Sequence, residues 1–370
     1  AGGSRGGGGG GGGGGGSSSG HKRRRKDHGS SGGGGGVAGP ARPVRWRCHC
    51  EAGTSSRVTG GSTGSFQATR DLYDRLAQME RDIAADRRGP ATQIARELKQ
   101  AGALWGFSGA QGVPKRSYTL QELRLNKIEP TALLLPKENY LAKVSAYCQR
   151  FYVAGLLGAY FVAHWDATSV FYLAAFSFMG LTVDKVGYNG GLEFLAVDTI
   201  GRRFSRAYEE RVSRHEAGHF LIAYIMGVLP SGYTLSAWNA LKNNKTLSIQ
   251  AGTAFCDEDF QAEVSRGKLS SSTLDKFCCI ALAGVAQEYI DHGNSEGGMN
   301  DIRQLDDLLM GLGFSQKKAD DQVRWAVLNT VFLLRKNQGV IDTLAKAMRA
   351  EAPLSECIVQ LESTLDQANL

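Results

Sequence analysis

Apolar residues recur at steps of three and four along most of this chain, and that rhythm predicts helices. Leu72, Leu76, Met79 and Ile83 share one face, with charged residues between them, which predicts a helix over 66–88. Gly89-Pro90 breaks it and opens a second helix over 90–101, so the two read as a hairpin packed on a core. Residues 102–130 hold Gly, Ser and Pro and read as loop, with a short element at 118–125. Two strongly apolar runs follow, 151–163 and 170–183, interrupted by His164-Trp165-Asp166. Each is shorter than the roughly 20 residues a spanning helix needs. They predict a helical hairpin, with two placements open: buried in protein, or embedded in a membrane with Tyr and Trp near its interfaces. Gly190-Gly191 marks a hinge.

From about residue 200 the pattern is helical again. A helix through 215–226, apolar nearly all round and therefore expected to be buried, ends near Gly227 and Pro230. A β-prone stretch covers 232–249. Helices are then expected over 274–290, 300–311, 319–336, 340–350 and 355–367, the last with Ser355 as N-cap. No internal repeat stands out. The fold class is mainly α with a small β element. The chain divides into a leader (1–52), a helical N-terminal region (65–150), the apolar segment (151–190) and a C-terminal domain (200–370).

Composition changes this picture at one end. The chain has 370 residues and a net charge of +7. Residues 1–64 hold about half of the 49 glycines, and ten Lys and Arg against Asp27 and Glu51, so the remainder is close to neutral. The basic character belongs to the leader, and the folded part offers no electrostatic footprint for nucleic acid. The run His21-Lys22-Arg23-Arg24-Arg25-Lys26 reads as a solvated tract in a disordered segment. An Arg-, Ser- and Gly-rich, acid-poor leader has the composition of a transit peptide, and 44–52 resembles the end of a plastid one. A chloroplast location follows as an expectation, in the stroma or at the thylakoid membrane, with the mitochondrion as alternative. Of the 7 cysteines, Cys48 and Cys50 fall in the leader. Cys148, Cys256, Cys278, Cys279 and Cys357 form no C-x-x-C pair and read as reduced thiols, several of them in the core.

The densest chemistry is His215-Glu216-Ala217-Gly218-His219. Histidines four apart on a helix lie one turn apart on one face, so both imidazoles reach one metal ion. Glu216, beside the first of them, is placed to take a proton from water at that metal: the H-E-x-x-H arrangement of zinc peptidases. Two buried histidines need partners, and a metal satisfies both. Gly218 inside the helix costs roughly 1 kcal/mol against alanine, a cost that fits a close approach by another backbone. A catalytic zinc takes a third protein ligand. Spacing leaves Glu288, Asp291, His292 and Asp301 open. Glu288 lies on an apolar helix, where it either faces the metal or orients a ligand. Glycines before Asp301 let backbone come close.

This C-terminal part resembles the FtsH-type zinc peptidases. His-Glu-Ala-Gly-His stands at 215–219. Their Gly-Arg-x-Ala-Glu helix is matched by Ala283-Gly284-Val285-Ala286-Gln287-Glu288, and their Gly-Ala-x-Asn-Asp by Gly297-Gly298-Met299-Asn300-Asp301. The likeness covers about 205–367. It implies a helical zinc-peptidase domain in which His215, His219 and Asp301 hold Zn2+ and Glu216 is the base. Val285 and Gly298 depart from the family's arginine and alanine, with consequences for packing around the site. No G-x-x-x-x-G-K-[ST] motif occurs, since Gly267-Lys268 lacks the upstream glycine. The chain therefore resembles the plant FtsH-like group that keeps the peptidase without the ATPase.

The expected activity is ATP-independent hydrolysis of organellar proteins by a zinc-activated water, on unfolded or extended polypeptides. The stretch from Ser231 to Trp238 is a candidate strand edge for them. Expected partners are FtsH-type protease complexes and a thylakoid membrane, with oligomerisation. Two other readings are a weak or inactive zinc scaffold that assembles such complexes, and a membrane-anchored structural protein.

Overall fold

A computed structural model describes residues 62–136, 139–187, 191–244, 252–256, 258–266 and 268–366. The leader, with Cys48 and Cys50, and part of the β-prone stretch lie outside these. The described fold is mainly α.

The first two helices, α1 (Ser62–Ala84) and α2 (Arg88–Gln100), form the expected hairpin. Leu76 and Met79 are fully buried, and Leu72 and Ile83 pack against the same core. Residues 102–119 are irregular yet carry core side chains. Leu104 and Phe107 are buried, and Phe107 meets Tyr224 edge-on at 5.3 Å. Two short helices follow. Helix α3 (Leu120–Leu125) starts at a capping box: Thr119 Oγ1 accepts from Glu122 N at 3.2 Å while the Glu122 carboxylate accepts from Thr119 N at 2.8 Å. Helix α4 (Pro130–Leu134) begins at proline.

The apolar runs form two helices, α5 (Asn139–Phe161) and α6 (Ala167–Gly187), resting on α7 (Gly191–Phe204). His164, at φ 54°, makes the reversal between them. The described residues leave this hairpin largely uncovered. Phe151, Phe161, Phe171, Phe176 and Phe178 are all exposed.

Helix α8 (Arg206–Ile225) is the axis of the domain. Ser205 caps it, accepting from Tyr208 N at 3.2 Å. Every residue from His215 to Ile225 is buried. Phe220, Leu221, Ile222 and Ile225 each contribute about 1.5–3 kcal/mol of apolar burial. Its end carries carbonyls with no helical partner. Ser108 N donates to Tyr224 O (3.1 Å) and Ala110 N to Ile225 O (2.9 Å), so the irregular segment is the plug for that end. Gly227, at φ 80°, turns the chain out of the helix.

The β-prone stretch divides. Strand β1 (Leu229–Thr234) pairs antiparallel with β2 (Gly252–Cys256), with Leu229 opposite Cys256, Tyr233 opposite Thr253, and a bulge at Ser231. Residues expected to extend the first strand instead form α9 (Ala237–Asn244). Ser236 Oγ accepts from Asn239 N (3.1 Å) and Asp198 Oδ2 from Ala237 N (2.9 Å), and those caps favour a helix start over a strand. Helix α10 (Glu258–Ser265) follows.

The single helix expected over 274–290 is two, α11 (Ser271–Ala281) and α12 (Ala283–His292), broken at Leu282. The carbonyls before the break turn to side chains: Thr330 Oγ1 donates to Cys279 O at 3.3 Å, and His219 Nδ1 lies 2.7 Å from Ile280 O. The last helices are α13 (Met299–Gly311), α14 (Gln316–Lys336), α15 (Gln338–Arg349) and α16 (Leu354–Thr364). Ser355 is not the N-cap of α16. It lies inside the first turn, where its N–H donates to Glu80 Oε1 at 2.7 Å and ties α16 to α1. Helices α12 and α15 flank α8, α14 lies behind α12, and the strands cover another side of α8. The core runs unbroken from Leu76 to Leu365. Cys256, Cys278, Cys279 and Cys357 are buried free thiols within it, and burial pushes the Cys278 thiol up to about 12.

Candidate metal centre

His215 and His219 project from one face of α8 toward the break between α11 and α12 and the first turn of α13. Their Nε2 atoms lie 3.1 Å apart. Asp301 Oδ2 lies 3.2 Å from His215 Nε2 and 3.4 Å from His219 Nε2. The structure thus brings Asp301 to the histidine pair, out of four carboxylate and imidazole candidates.

The other three are elsewhere. Glu288 Oε1 sits 2.8 Å from His215 Nδ1, on the far side of the ring from Asp301, so it orients the imidazole. Its second oxygen accepts from Glu296 N (2.8 Å) and Gly297 N (3.1 Å), which closes the loop leading to Asp301. Asp291 pairs with Arg214 at 2.6 Å. His292 ends α12, outside the cluster.

The donor set fits a tetrahedral zinc. Each Nδ1 faces an acceptor, the Glu288 carboxylate or the Ile280 carbonyl, so each Nδ1 carries the proton and each Nε2 presents a lone pair. Two lone pairs and a carboxylate oxygen then converge, an arrangement that repels itself without a cation. Ligands about 2.0–2.1 Å from a tetrahedral zinc stand roughly 3.3 Å from one another, and the three separations here, 3.1, 3.2 and 3.4 Å, match that edge. Two imidazoles and one carboxylate favour zinc over the hard, oxygen-seeking cations.

Electrostatics point the same way. Burial disfavours the charged imidazole of His215, but Asp301 and Glu288 outweigh it and hold its pKa well above the ordinary histidine range. Burial likewise opposes ionisation of Asp301 and Glu288, yet the histidines hold both carboxyls below their usual range. These opposed shifts favour positive charge between the groups.

Missing side chains make the approach possible. A Cβ on Gly284 would lie 2.2 Å from His215 Nε2, and one on Gly218 would lie 3.0 Å from Ala283 O. Gly218 is therefore the point of close backbone approach that its presence inside a helix suggested. Gly298 caps α13 at φ 74°, and a Cβ there would fall 2.3 Å from Val285 Cγ1. The two departures from the family pattern are thus neighbours, one small residue beside one branched one.

Glu216 is buried, and its Oε2 accepts from Thr253 Oγ1 at 2.9 Å. Thr253 belongs to β2, so the strand fixes the rotamer of that carboxylate. One turn before His215, Arg211 pairs with Glu296 at 2.7 Å and braces the loop that Glu288 closes. Nothing in the sequence singles out Thr253 or Arg211, because a lone hydroxyl and a lone guanidinium carry no spacing signal. The Ile280 carbonyl is backbone and leaves no signal at all.

The cluster opens into a cleft of about 1310 Å3 lined by His215, Glu216, Thr253, Phe277 and Asp301 among others. That exceeds the roughly 300–1,000 Å3 of small-molecule pockets and suits an extended chain. Its β wall is Gly252, Thr253, Phe255 and Cys256 of β2. The stretch from Ser231 to Trp238, proposed as the strand edge for substrate, is not part of that wall: it pairs with β2 and then enters α9. No family model matches the chain, and no curated protein or solved structure matches it.

Proposed function

We propose that this chain is a zinc metalloendopeptidase of FtsH type, hydrolysing peptide bonds of extended polypeptides without ATP of its own. The observation that carries the reading is the convergence of three donor atoms at 3.1–3.4 Å from one another, next to a buried glutamate. His215, His219 and Asp301 would hold the ion. Zinc bound there supplies Lewis acidity, bringing a water's pKa toward 7 and polarising a carbonyl. The chain's residues do the rest. The Nδ1–H groups of the two histidines, held by Glu288 and Ile280 O, keep both Nε2 lone pairs aimed at one point. Thr253 engages Glu216 Oε2, which leaves Oε1 as the oxygen to take the proton of the attacking water and deliver it to the departing amine. Phe260 and Phe277, stacked at 5.1 Å, give the cleft an apolar wall for a substrate side chain. The leader's composition supports a plastid location for this activity.

The test pairs metal analysis with casein digestion. Wild type and Glu216→Gln should each carry one zinc per chain, while the variant loses activity by about 10²–10⁴-fold. Metal-free protein, or digestion by Glu216→Gln at the wild-type rate, would overturn the proposal.

A further inference from the structure

Two helices beside the metal centre carry cleft-lining charge that the chemistry at the metal does not use. On α11, Thr273, Lys276, Phe277, Ile280 and Ala281 line the cleft. Steps of three and four put them on one helical face, so α11 turns a continuous stripe toward that space. On α13, Asn300, Arg303 and Gln304 line it with the same step. Helices α11 and α13 pack on each other, and His219 ties them at one level: its Nδ1 lies 2.7 Å from Ile280 O and its Nε2 3.4 Å from Asp301 Oδ2.

The acids along the cleft are already engaged. Glu193 faces Lys185 at 3.6 Å, Glu296 faces Arg211 at 2.7 Å and Asp198 faces Arg202 at 3.2 Å. Glu288 and Asp301 serve the histidines, and Glu216 accepts from Thr253. The Glu258 carboxylate lies against the first turn of α2, where a Cβ on Gly89 would fall 2.8 Å from its Oε2, and a helix N-terminus favours an anion. Two cations differ. Among the described residues no acid forms an ion pair with Lys276, which is half-buried, or with Arg303, which is exposed. Lys276 directly precedes Phe277, one half of the apolar wall made with Phe260. It stands one turn, about 6 Å of helix axis, from Ile280, and Arg303 stands about 3 Å beyond Asp301. An extended peptide advances roughly 3.3 Å per residue. Each cation is therefore offset from the metal centre by about two substrate residues or fewer.

Resting on the metallopeptidase reading, we propose that Lys276 and Arg303 form a carboxylate subsite, so that the cleft selects polypeptide with Asp or Glu within two residues of the bond it cuts and an apolar side chain beside that acid. The apolar side chain lies on Phe260 and Phe277, and the acid reaches the two cations. A peptide backbone is uncharged, so the groups in a substrate that complement fixed cations are its acidic side chains and its C-terminus. A cleft of this size holds residues on both sides of the scissile bond, which assigns the subsite to a side chain. Acids already engaged along the cleft leave the two cations as its charge-reading groups.

The test uses the full chain with zinc and internally quenched peptides blocked at both ends. Each carries one phenylalanine and, beside it, a variable position occupied by glutamate, glutamine or lysine, and mass spectrometry locates the bond cut. Wild type should cleave the glutamate peptide about fivefold more efficiently in kcat/KM than the glutamine peptide, the scale of a partly exposed ion pair, and the lysine peptide least. The double variant Lys276→Glu with Arg303→Glu should reverse the order of the glutamate and lysine peptides. Zinc content equal to that of wild type reports that it is folded. Lys276→Gln and Arg303→Gln, which only remove charge, should each shrink the glutamate advantage. Equal cleavage of the three peptides by wild type, or a glutamate preference that survives charge reversal in zinc-loaded protein, overturns the proposal while the peptidase stands. Wild type that treats the three alike but favours peptides with an unblocked C-terminus reads a chain end, and overturns the side-chain assignment. Zinc-loaded wild type that cleaves neither these peptides nor casein overturns the peptidase reading, and the subsite with it.

Discussion

The packed pair α8 and α12 and the hairpin α5–α6 each carry glycines within apolar helical runs, and they meet opposite fates. From His215 to Ile225 of α8 and from Ala283 to Glu288 of α12 every residue is buried, and His215, His219, Glu216 and Gln287 among them have polar partners. In α5 and α6 the aromatic and aliphatic side chains face outward. The glycines show why. Gly218 and Gly284 stand where a Cβ would lie 2.2–3.0 Å from another helix, whereas Gly155, Gly158 and Gly180 have nothing within 4 Å. Apolarity decides that a helix leaves water. Close-approach positions and polar groups with assigned partners decide that it leaves water for protein.

The sharpest way to break this contrast is to remove the metal. If zinc holds α8, α12 and α13 together, its binding energy adds to their stability, by about 4 kcal/mol at a ligand concentration a thousand times Kd. Chelation should therefore lower the melting temperature and strip hydrogen-exchange protection from α8 and α12. Amides of α5 and α6 should be unchanged. Equal loss in both pairs would show that the hairpin depends on the centre rather than standing apart from it.

Next in size is a pair of glycine substitutions. Gly284→Ala forces a methyl into His215 and should cost roughly 1–3 kcal/mol of overpacking, with zinc content falling alongside. Gly158→Ala meets only open space and should be neutral, or stabilising by up to about 1 kcal/mol through helix propensity. Thermal denaturation in detergent measures both. A Gly158→Ala variant as damaged as Gly284→Ala would mean that α5 packs on something its outward face conceals.

How much of this was legible beforehand differs between the two pairs for the same reason. The 215–219 motif shows two donors and a carboxylate at fixed helical spacing, so local geometry suffices to read them. Asp301 stood among four candidates until a family resemblance chose it, because a ligand 82 residues beyond His219 is placed by tertiary contacts. Glu288 carried two readings, ligand or orienting group, and only the side of the imidazole it occupies separates them. The break at Leu282 was hidden, since no Pro marks it, Gly284 falls inside the helix that follows, and the side chains that take up its carbonyls are a histidine and a threonine on other helices. The hairpin's helices were readable from length and composition, but whether they would be covered depends on surfaces elsewhere in the chain. Strand β2 escaped notice because Gly252-Thr253-Ala254-Phe255-Cys256 is too short and too mixed to show alternation.

The smallest expected effect asks what burial does to one acid on the protein-packed side of the contrast. Glu362 of α16 accepts from Tyr224 Oη of α8 at 2.5 Å and from Gly106 N at 3.1 Å. Burial disfavours its charge and raises its pKa above the ordinary glutamate value, even against those hydrogen bonds. A carboxyl whose folded pKa is raised binds its proton more tightly in the native state. Its contribution to stability is therefore complete below the unfolded pKa and is lost as pH rises through the folded one. Glu362→Gln removes the titration and leaves an amide oxygen able to accept from Tyr224. The melting temperature of wild type minus that of the variant should then be greater at pH 4 than at pH 8. A difference independent of pH would show that the α8–α16 contact leaves Glu362 solvated, and that burial around Tyr224 is looser than around the metal centre.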